Sequence, residues 1–289
     1  MEIFSGQYHK ATEASPGVLL LEFNRPPVNA FHDDMWKELR RIIDTISHTP
    51  EIRVIVLSSA LQNVFTAGLD LNAQSELNSP SLDPARKAIQ LRQHVLDFQD
   101  AITSLERCNQ PVICALYGTS VGLAIDLACA CDIRLASSNT TFGIFEVNVG
   151  LAADIGTLQR LPKITGNESK LKELALTGRK FNSLEAKEIG FISDIKQGGR
   201  SEVISAAIDM AKVIASKSPV AVIGTKHLIN HARDHTIEEG LRYTAIWNAS
   251  MLQSVDTSTA MKAVMAKQIS KFAPISNTPQ SELSARAKL

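Results

Sequence analysis

The stretch Ala115–Ala136, ALYGTSVGLAIDLACACDIRLA, decides how the chain is read. An apolar run stops at the glycine turn Gly118–Gly122 and a nearly all-apolar segment follows. That is the order strand, turn, helix, which sets a helix N-terminus at the end of a buried strand. The turn spells G-x-S-x-G, the pattern of a serine hydrolase nucleophile elbow. Two chemistries therefore compete: Ser120 as a nucleophile, or Asp126 as a working acid. A carboxylate among apolar residues costs several kcal/mol unless it is paired or used.

The serine reading needs a later acid and a later histidine. His227, His231 and His235 fall together on one expected helix near the C-terminus, and an HGGG-type oxyanion segment is absent. Their four-residue steps share one helix face, a spacing that can chelate metal, but no H-E-x-x-H accompanies them. A solvated or interface face is the plainer expectation. Cys129 and Cys131 form C-x-C on the helix, where they face apart, so no metal site is expected there either.

Outward from the glycine turn, strands alternate with helices. GVLLLEF (Gly17–Phe23), IRVIVLSSA, VICALYG, IRLASS and TTFGIFEV read as strands. HDDMWKELRRIIDTISHT places Met35, Trp36, Leu39, Ile42, Ile43 and Ile46 at three- and four-residue steps, which predicts an amphipathic helix. A sharp turn is expected at Gly68, then a polar linker over residues 72–84 and a long helix, ARKAIQLRQHVLDFQDAITSLERC. The alternation argues an α/β layered core. From Ile155 onward the chain reads as mostly helical, an appendage that covers the core or joins subunits.

Composition narrows the function classes. The chain has 289 residues, 44% of them hydrophobic, enough for one large core. Thirty basic residues balance thirty acidic ones, so no net field favours nucleic acid or an anionic membrane. Neither a signal peptide nor a membrane span is expected. Cys108, Cys114, Cys129 and Cys131 all stand in apolar segments and read as reduced core thiols. The last three residues, Ala287-Lys288-Leu289, are close to a peroxisomal S-K-L address.

Glu146, in FGIFEVNVGL, and Asp154, in LAADIG, are further acids in apolar company. With Asp126 they suggest a cavity where carboxylates move protons, because a dry wall raises a carboxyl pKa toward working pH. Backbone N–H groups at AGLD and SVGLA are candidates to cradle an oxyanion.

Together these residues resemble the crotonase, or enoyl-CoA hydratase/isomerase, family from Gly17 to about Lys271. The landmarks are EFNRPPVNAF, VFTAGLDL, QPVICALYGTSVGLAIDLACACDIRLAS, FGIFEVNVGLAADIGTLQRLPKITG and ALTGRKFNSLEAKEIGFIS. The resemblance implies a spiral of ββα repeats (residues 1–198) and a C-terminal helical trimerisation region (199–271); FAPISNTPQSELSARAKL itself reads as a flexible tail (272–289) ending in a targeting signal. It implies a homotrimer or hexamer, an acyl-CoA thioester substrate, and no metal or separate cofactor, since CoA arrives with the substrate. The oxyanion donors map onto the backbone N–H groups of Leu69 and Leu123, with Thr66, Ala67, Gly68, Leu69, Asp70 and Leu123 around the substrate.

The triple Asp126, Glu146, Asp154 and the run EVNVGLAADIGTLQRLPK look like the Δ3,5-Δ2,4-dienoyl-CoA isomerases within that family. The resemblance then implies Glu146 at C2, Asp154 at C6, and Asp126 orienting or tuning Glu146. Two departures stand out. SVGLAID keeps only Gly122 of a longer glycine run, so the second donor belongs to a leucine whose side chain must point away. Asn148 stands where related isomerases tend to have an acid. The expected activity is isomerisation of 3,5-dienoyl-CoA in peroxisomal fatty-acid β-oxidation, with import through Ala287-Lys288-Leu289. The rivals are an enoyl-CoA hydratase using Asp126 and Glu146, and a non-catalytic crotonase-fold binding subunit.

Overall fold

The computed structural model describes residues 1–71 and 83–275. Most of the polar linker and the terminal Ala287-Lys288-Leu289 lie outside the described residues.

The chain opens with an antiparallel pair, β1 (His9–Ser15) and β2 (Val18–Phe23), followed by α1 (Asp33–Ser47). Three strand pairs follow: β3 (Val54–Ser59) with β4 (Val64–Thr66), β5 (Val112–Leu116) with β6 (Thr119–Val121), and β7 (Ile133–Ser137) with β8 (Thr141–Gly143). α2 (Pro84–Arg107) leaves the first pair and α3 (Leu123–Ala130) the second. Each pair gives one strand to each of two sheets. The larger sheet has the order β1-β2-β3-β5-β7-β10 and the smaller β4-β6-β8-β9, with β9 (Lys180–Asn182) and β10 (Asp194–Lys196) closing them. This is the spiral of ββα repeats expected from the sequence.

α1 shows why these segments fold as they do. Its apolar stripe, Met35, Trp36, Leu39, Ile42, Ile43 and Ile46, is buried without exception, and the His32 ring accepts from the Met35 N–H at the helix start. In β3 every residue is buried, as a parallel strand covered on both faces requires. One core lies between the sheets, α1, α2 and α3. The other lies on the opposite face of the larger sheet, where α7 (Arg200–Ala215) buries Val203, Ile204, Ala207 and Ala211 against Val18, Val54, Ile113 and Leu135.

Several local expectations change. The Gly118–Gly122 turn contains a three-residue strand, β6. TTFGIFEV is strand only over β8, and Glu146 stands on a short 3-10 helix, Glu146–Val149. The region after Ile155 carries α4 (Thr157–Ile164), α5 (Glu168–Thr177) and α6 (Ser183–Glu188), but also strands β9 and β10. β1 escapes a periodicity reading because its inward positions are His9 and Ala11.

The chain continues through α8 (Pro219–Ala232), α9 (Ile237–Met251) and α10 (Val255–Met265). α9 and α10 bury no residue fully and expose Ile237, Leu241, Ile246, Val264 and Met265. No helix among the described residues is long and apolar enough to cross a membrane.

Candidate active site

The site forms where the second strand of each pair ends. Beyond β4, Gly68 adopts φ +96°, a conformation natural to glycine. The turn is fixed by Thr66, whose hydroxyl donates to the Asn29 carbonyl at 2.6 Å and accepts from the Gly68 N–H at 3.0 Å. Thr66 is fully buried, so its part is to build the turn rather than to touch a ligand. The Phe31 N–H donates to the Gly68 carbonyl and the Asp70 N–H to the Phe31 carbonyl, each at 2.8 Å. In this parallel bridge around Phe31 and Leu69, the Leu69 N–H faces the other way, away from Phe31. Asp70 accepts from Arg25 at 2.7 Å, which ties the turn to the Pro26-Pro27 loop, while Ala67 is exposed.

Beyond β6, Gly122 (φ +58°) precedes α3 and leaves Leu123 as its first residue. The Leu123 N–H lies in the first turn, where no intrahelical acceptor exists and the helix end is positive. Its side chain is 2% exposed and packs in the core, so it points away from the turn. The two turns nearly touch: a Cβ built on Gly68 would lie 3.6 Å from the Leu123 nitrogen, and one built on Gly122 would lie 3.6 Å from the Gly68 Cα. The same position on Gly122 lies 3.7 Å from Glu146 Oε1. Two glycine turns and one carboxylate therefore share a small space.

Glu146 reaches it from the 3-10 helix after β8. Its Oε2 is buried without a hydrogen-bond partner. Burial, and then the charge of Asp154, push its pKa up. Asp126 lies on α3, one turn after Leu123; it is 2% exposed and accepts from the Thr157 N–H at 2.7 Å. Burial pushes its pKa up to about 7; the Thr157 contacts pull it down, and the charges of Glu146 and Asp154 add to the rise. Asp154 is exposed, yet partial desolvation raises its pKa too, with His94 pulling it back. The three acids thus form one electrostatically coupled group, unequal in access: Asp126 is sealed, Glu146 half-buried, Asp154 open. Such a group can remove a proton at one point and deliver one at another while N–H groups hold an oxyanion.

Other candidates fall elsewhere. Ser120 is fully buried and its hydroxyl donates to the Tyr117 carbonyl at 3.2 Å. His227 bonds to the Tyr243 hydroxyl at 2.8 Å, and His231 and His235 stack on each other, with ring centres 3.7 Å apart, between α8 and α9. All four cysteines are free and buried, and burial pushes Cys108 up to about 11 and Cys129 to about 12. Asn148 donates to the Gly178 carbonyl at 2.9 Å and so joins the 3-10 helix to the end of α5. A cavity of about 870 Å³ lies against α8 and is lined by Pro111, Asp132, Ile133 and Lys226. That is the opposite end of the parallel strands from the acids. The Thr157 amide has no side-chain signal that a sequence pattern could reveal, and sequence reasoning missed it.

The family model described as "Enoyl-CoA hydratase/isomerase" matches residues 13–273. Mitochondrial Delta(3,5)-Delta(2,4)-dienoyl-CoA isomerase of Mus musculus is 42% identical, across 91% of this chain and 80% of its own length. The peroxisomal protein of that name from Arabidopsis thaliana is 40% identical, across 92% and 95%. Among solved structures, enoyl-CoA hydratase from Bacillus anthracis superposes with a TM-score of 0.83 at 27% identity, covering 92% of this chain and 99% of that one. The chain belongs to the enoyl-CoA hydratase/isomerase family.

Proposed function

We propose that this protein is a Δ3,5-Δ2,4-dienoyl-CoA isomerase. The observation that carries the reading is the coupled triple Asp126, Glu146 and Asp154 beside two facing glycine turns, in a chain 40–42% identical to proteins of that name. Moving C3=C4 and C5=C6 to C2=C3 and C4=C5 removes a proton from C2 and adds one at C6. Those carbons are too far apart for one carboxylate.

In this reading the thioester oxygen sits between the Leu69 and Leu123 N–H groups, in the turns made by Thr66, Ala67, Gly68 and Asp70. Glu146 takes the C2 proton, and the charge that develops on the thioester oxygen is held by the two amides. Asp154, the acid of the three that is open to solvent, delivers a proton to C6. Asp126 orients or tunes Glu146 through like-charge coupling, which raises the pKa of Asp126 itself. The reaction balances without a redox partner: one proton leaves, one arrives, and the electron pairs shift along the chain.

The exposed apolar residues of α9 and α10 support assembly as a homotrimer or hexamer. Ala287-Lys288-Leu289 supports recognition by a peroxisomal import receptor; the relatives' names divide between mitochondrial and peroxisomal.

The test is purified protein offered 3,5-dienoyl-CoA and 2-enoyl-CoA. Appearance of the 2,4-diene absorbance is expected with the first. Hydration of the second with no 2,4-diene from the first would overturn the isomerase in favour of a hydratase. Turnover of neither would favour a binding subunit.

A further inference from the structure

We propose that Gln99 is a positioning residue for Asp154, a role that rests on the isomerase reading. Asp154 sits in a stretch, residues 151–156, with no helix or strand. The stretch is fixed at its ends: the Leu151 N–H donates to the Glu146 carbonyl at 2.9 Å, and Gly156 opens α4, whose Thr157 amide holds Asp126. Between those ends, Gln99 Nε2 on α2 donates to the Asp154 carbonyl at 2.6 Å.

α2 is a rigid support at this point. Phe98 stacks on Trp36 of α1, ring centres 5.1 Å apart, which fixes how α2 is rotated. Gln99, Thr103 and Glu106 follow at steps of four and three and so share one face. Arg160 of α4 reaches that same face, donating to Thr103 Oγ1 at 2.9 Å and to Glu106 Oε2 at 2.7 Å. The other oxygen of Glu106 accepts from Arg233, the residue that follows α8, at 2.6 Å. The face therefore holds α4 at one end, and through α4 the amide on Asp126. At the other end it holds the Asp154 peptide directly.

A peptide carbonyl fixed in direction fixes the peptide plane that carries the Cα of its own residue, and so narrows the directions its Cα–Cβ vector can take. Without that bond the peptide can rotate, and the exposed Asp154 carboxyl loses its place relative to C6. A displacement of about 1 Å in a reacting group costs up to about 100-fold in rate. C2 chemistry at Glu146 needs no part of this bond.

The experiment compares wild type with Gln99→Met, which keeps the length and loses the donor. Three readouts are taken on 3,5-dienoyl-CoA: kcat, KM, and deuterium uptake at C2 of recovered substrate in D2O. The expected result is a kcat lower by roughly 10-fold or more, a KM within about twofold, and C2 uptake at or above the wild-type rate. Unchanged kcat would overturn the proposal. So would kcat and C2 uptake falling in proportion, because that is what a smaller folded fraction produces. A wild type that forms no 2,4-diene at all would remove the isomerase reading itself, and that failure shows before any variant is made.

Discussion

The Thr157 amide donates to Asp126 Oδ1 at 2.7 Å, a bond at the head of α4 that meets a carboxylate sealed among apolar residues. It does not offset burial, which pushes Asp126 up to about 7. In the unfolded chain the group ionises near pH 4. Folding therefore takes up a proton between about pH 4 and pH 7, so this group's contribution to stability falls as pH rises through that window and is flat above it. Asp126→Asn keeps an oxygen for Thr157 and removes the titration. Its stability relative to wild type should rise from pH 4.5 to pH 7 by a few kcal/mol. Urea denaturation at pH 4.5, 6 and 8 measures it, and identical slopes in the two proteins would show that Asp126 is not buried as a titrating group.

Glu146 and Asp154 should separate in their effects. Glu146→Gln should lower kcat by about 10²- to 10⁴-fold and abolish C2 deuterium uptake. Asp154→Asn should lower kcat comparably and leave C2 uptake intact. A base must be ionised, so kcat/KM should fall as pH drops through the raised pKa of Glu146. Asp154→Asn removes a neighbouring negative charge, which shifts that acid limb of its residual activity to lower pH. A limb that stays in place would mean the two acids are not coupled.

How much of this was legible in the sequence depends on the kind of signal. The stripe of α1 was legible because burial of one face leaves a period in the residues, and the run Val112–Leu116 with α3 because elements buried on every side read as unbroken apolar runs. β6, β8 and β9 are three residues each, too short for any period, and they form through pairing across the smaller sheet. Asp126 and Glu146 were legible as acids among apolar residues. Gln99 reads as an ordinary polar residue on a helix, and the amide of Thr157 carries no side-chain identity, so only three-dimensional structure reveals either.

The glycine turns can be tested by adding one carbon. Gly122 adopts φ +58°, ψ −122°, a region that costs other residues about 1–3 kcal/mol. Its new Cβ would also enter the space shared by Gly68 and Glu146 Oε1. Gly122→Ala should lower kcat by about 10²-fold or more, measured on protein shown to be folded by circular dichroism. Wild-type turnover would mean that the Leu123 amide does not hold the oxyanion.

Ser120 supplies the opposite expectation. Its hydroxyl is spent on the Tyr117 carbonyl inside the core. Ser120→Ala should keep kcat within about twofold and cost about 1 kcal/mol of stability for the lost hydrogen bond. Total loss of turnover in a folded variant would restore the nucleophile reading.

Lys226 should matter for stability and not for chemistry. Its side chain is 7% exposed, and its ammonium pairs with Asp132 Oδ2 at 2.8 Å. The same ammonium donates to the Gln110 and Leu105 carbonyls at 2.9 and 3.2 Å. Those groups lie at the end of α2 and just before β5 and β7, so one buried cation fastens α8 to the core at the opposite end of the parallel strands from the acids. Lys226→Met leaves Asp132 buried without its cation, a loss of about 3–5 kcal/mol. Adding Asp132→Asn removes the stranded charge and should recover part of that loss, the coupling a double-mutant cycle reads. In both variants kcat per folded molecule should match wild type, with the folded fraction taken from urea denaturation. A drop in kcat at full folding would mean that α8 transmits its position to the three acids, by way of Arg233 and Glu106.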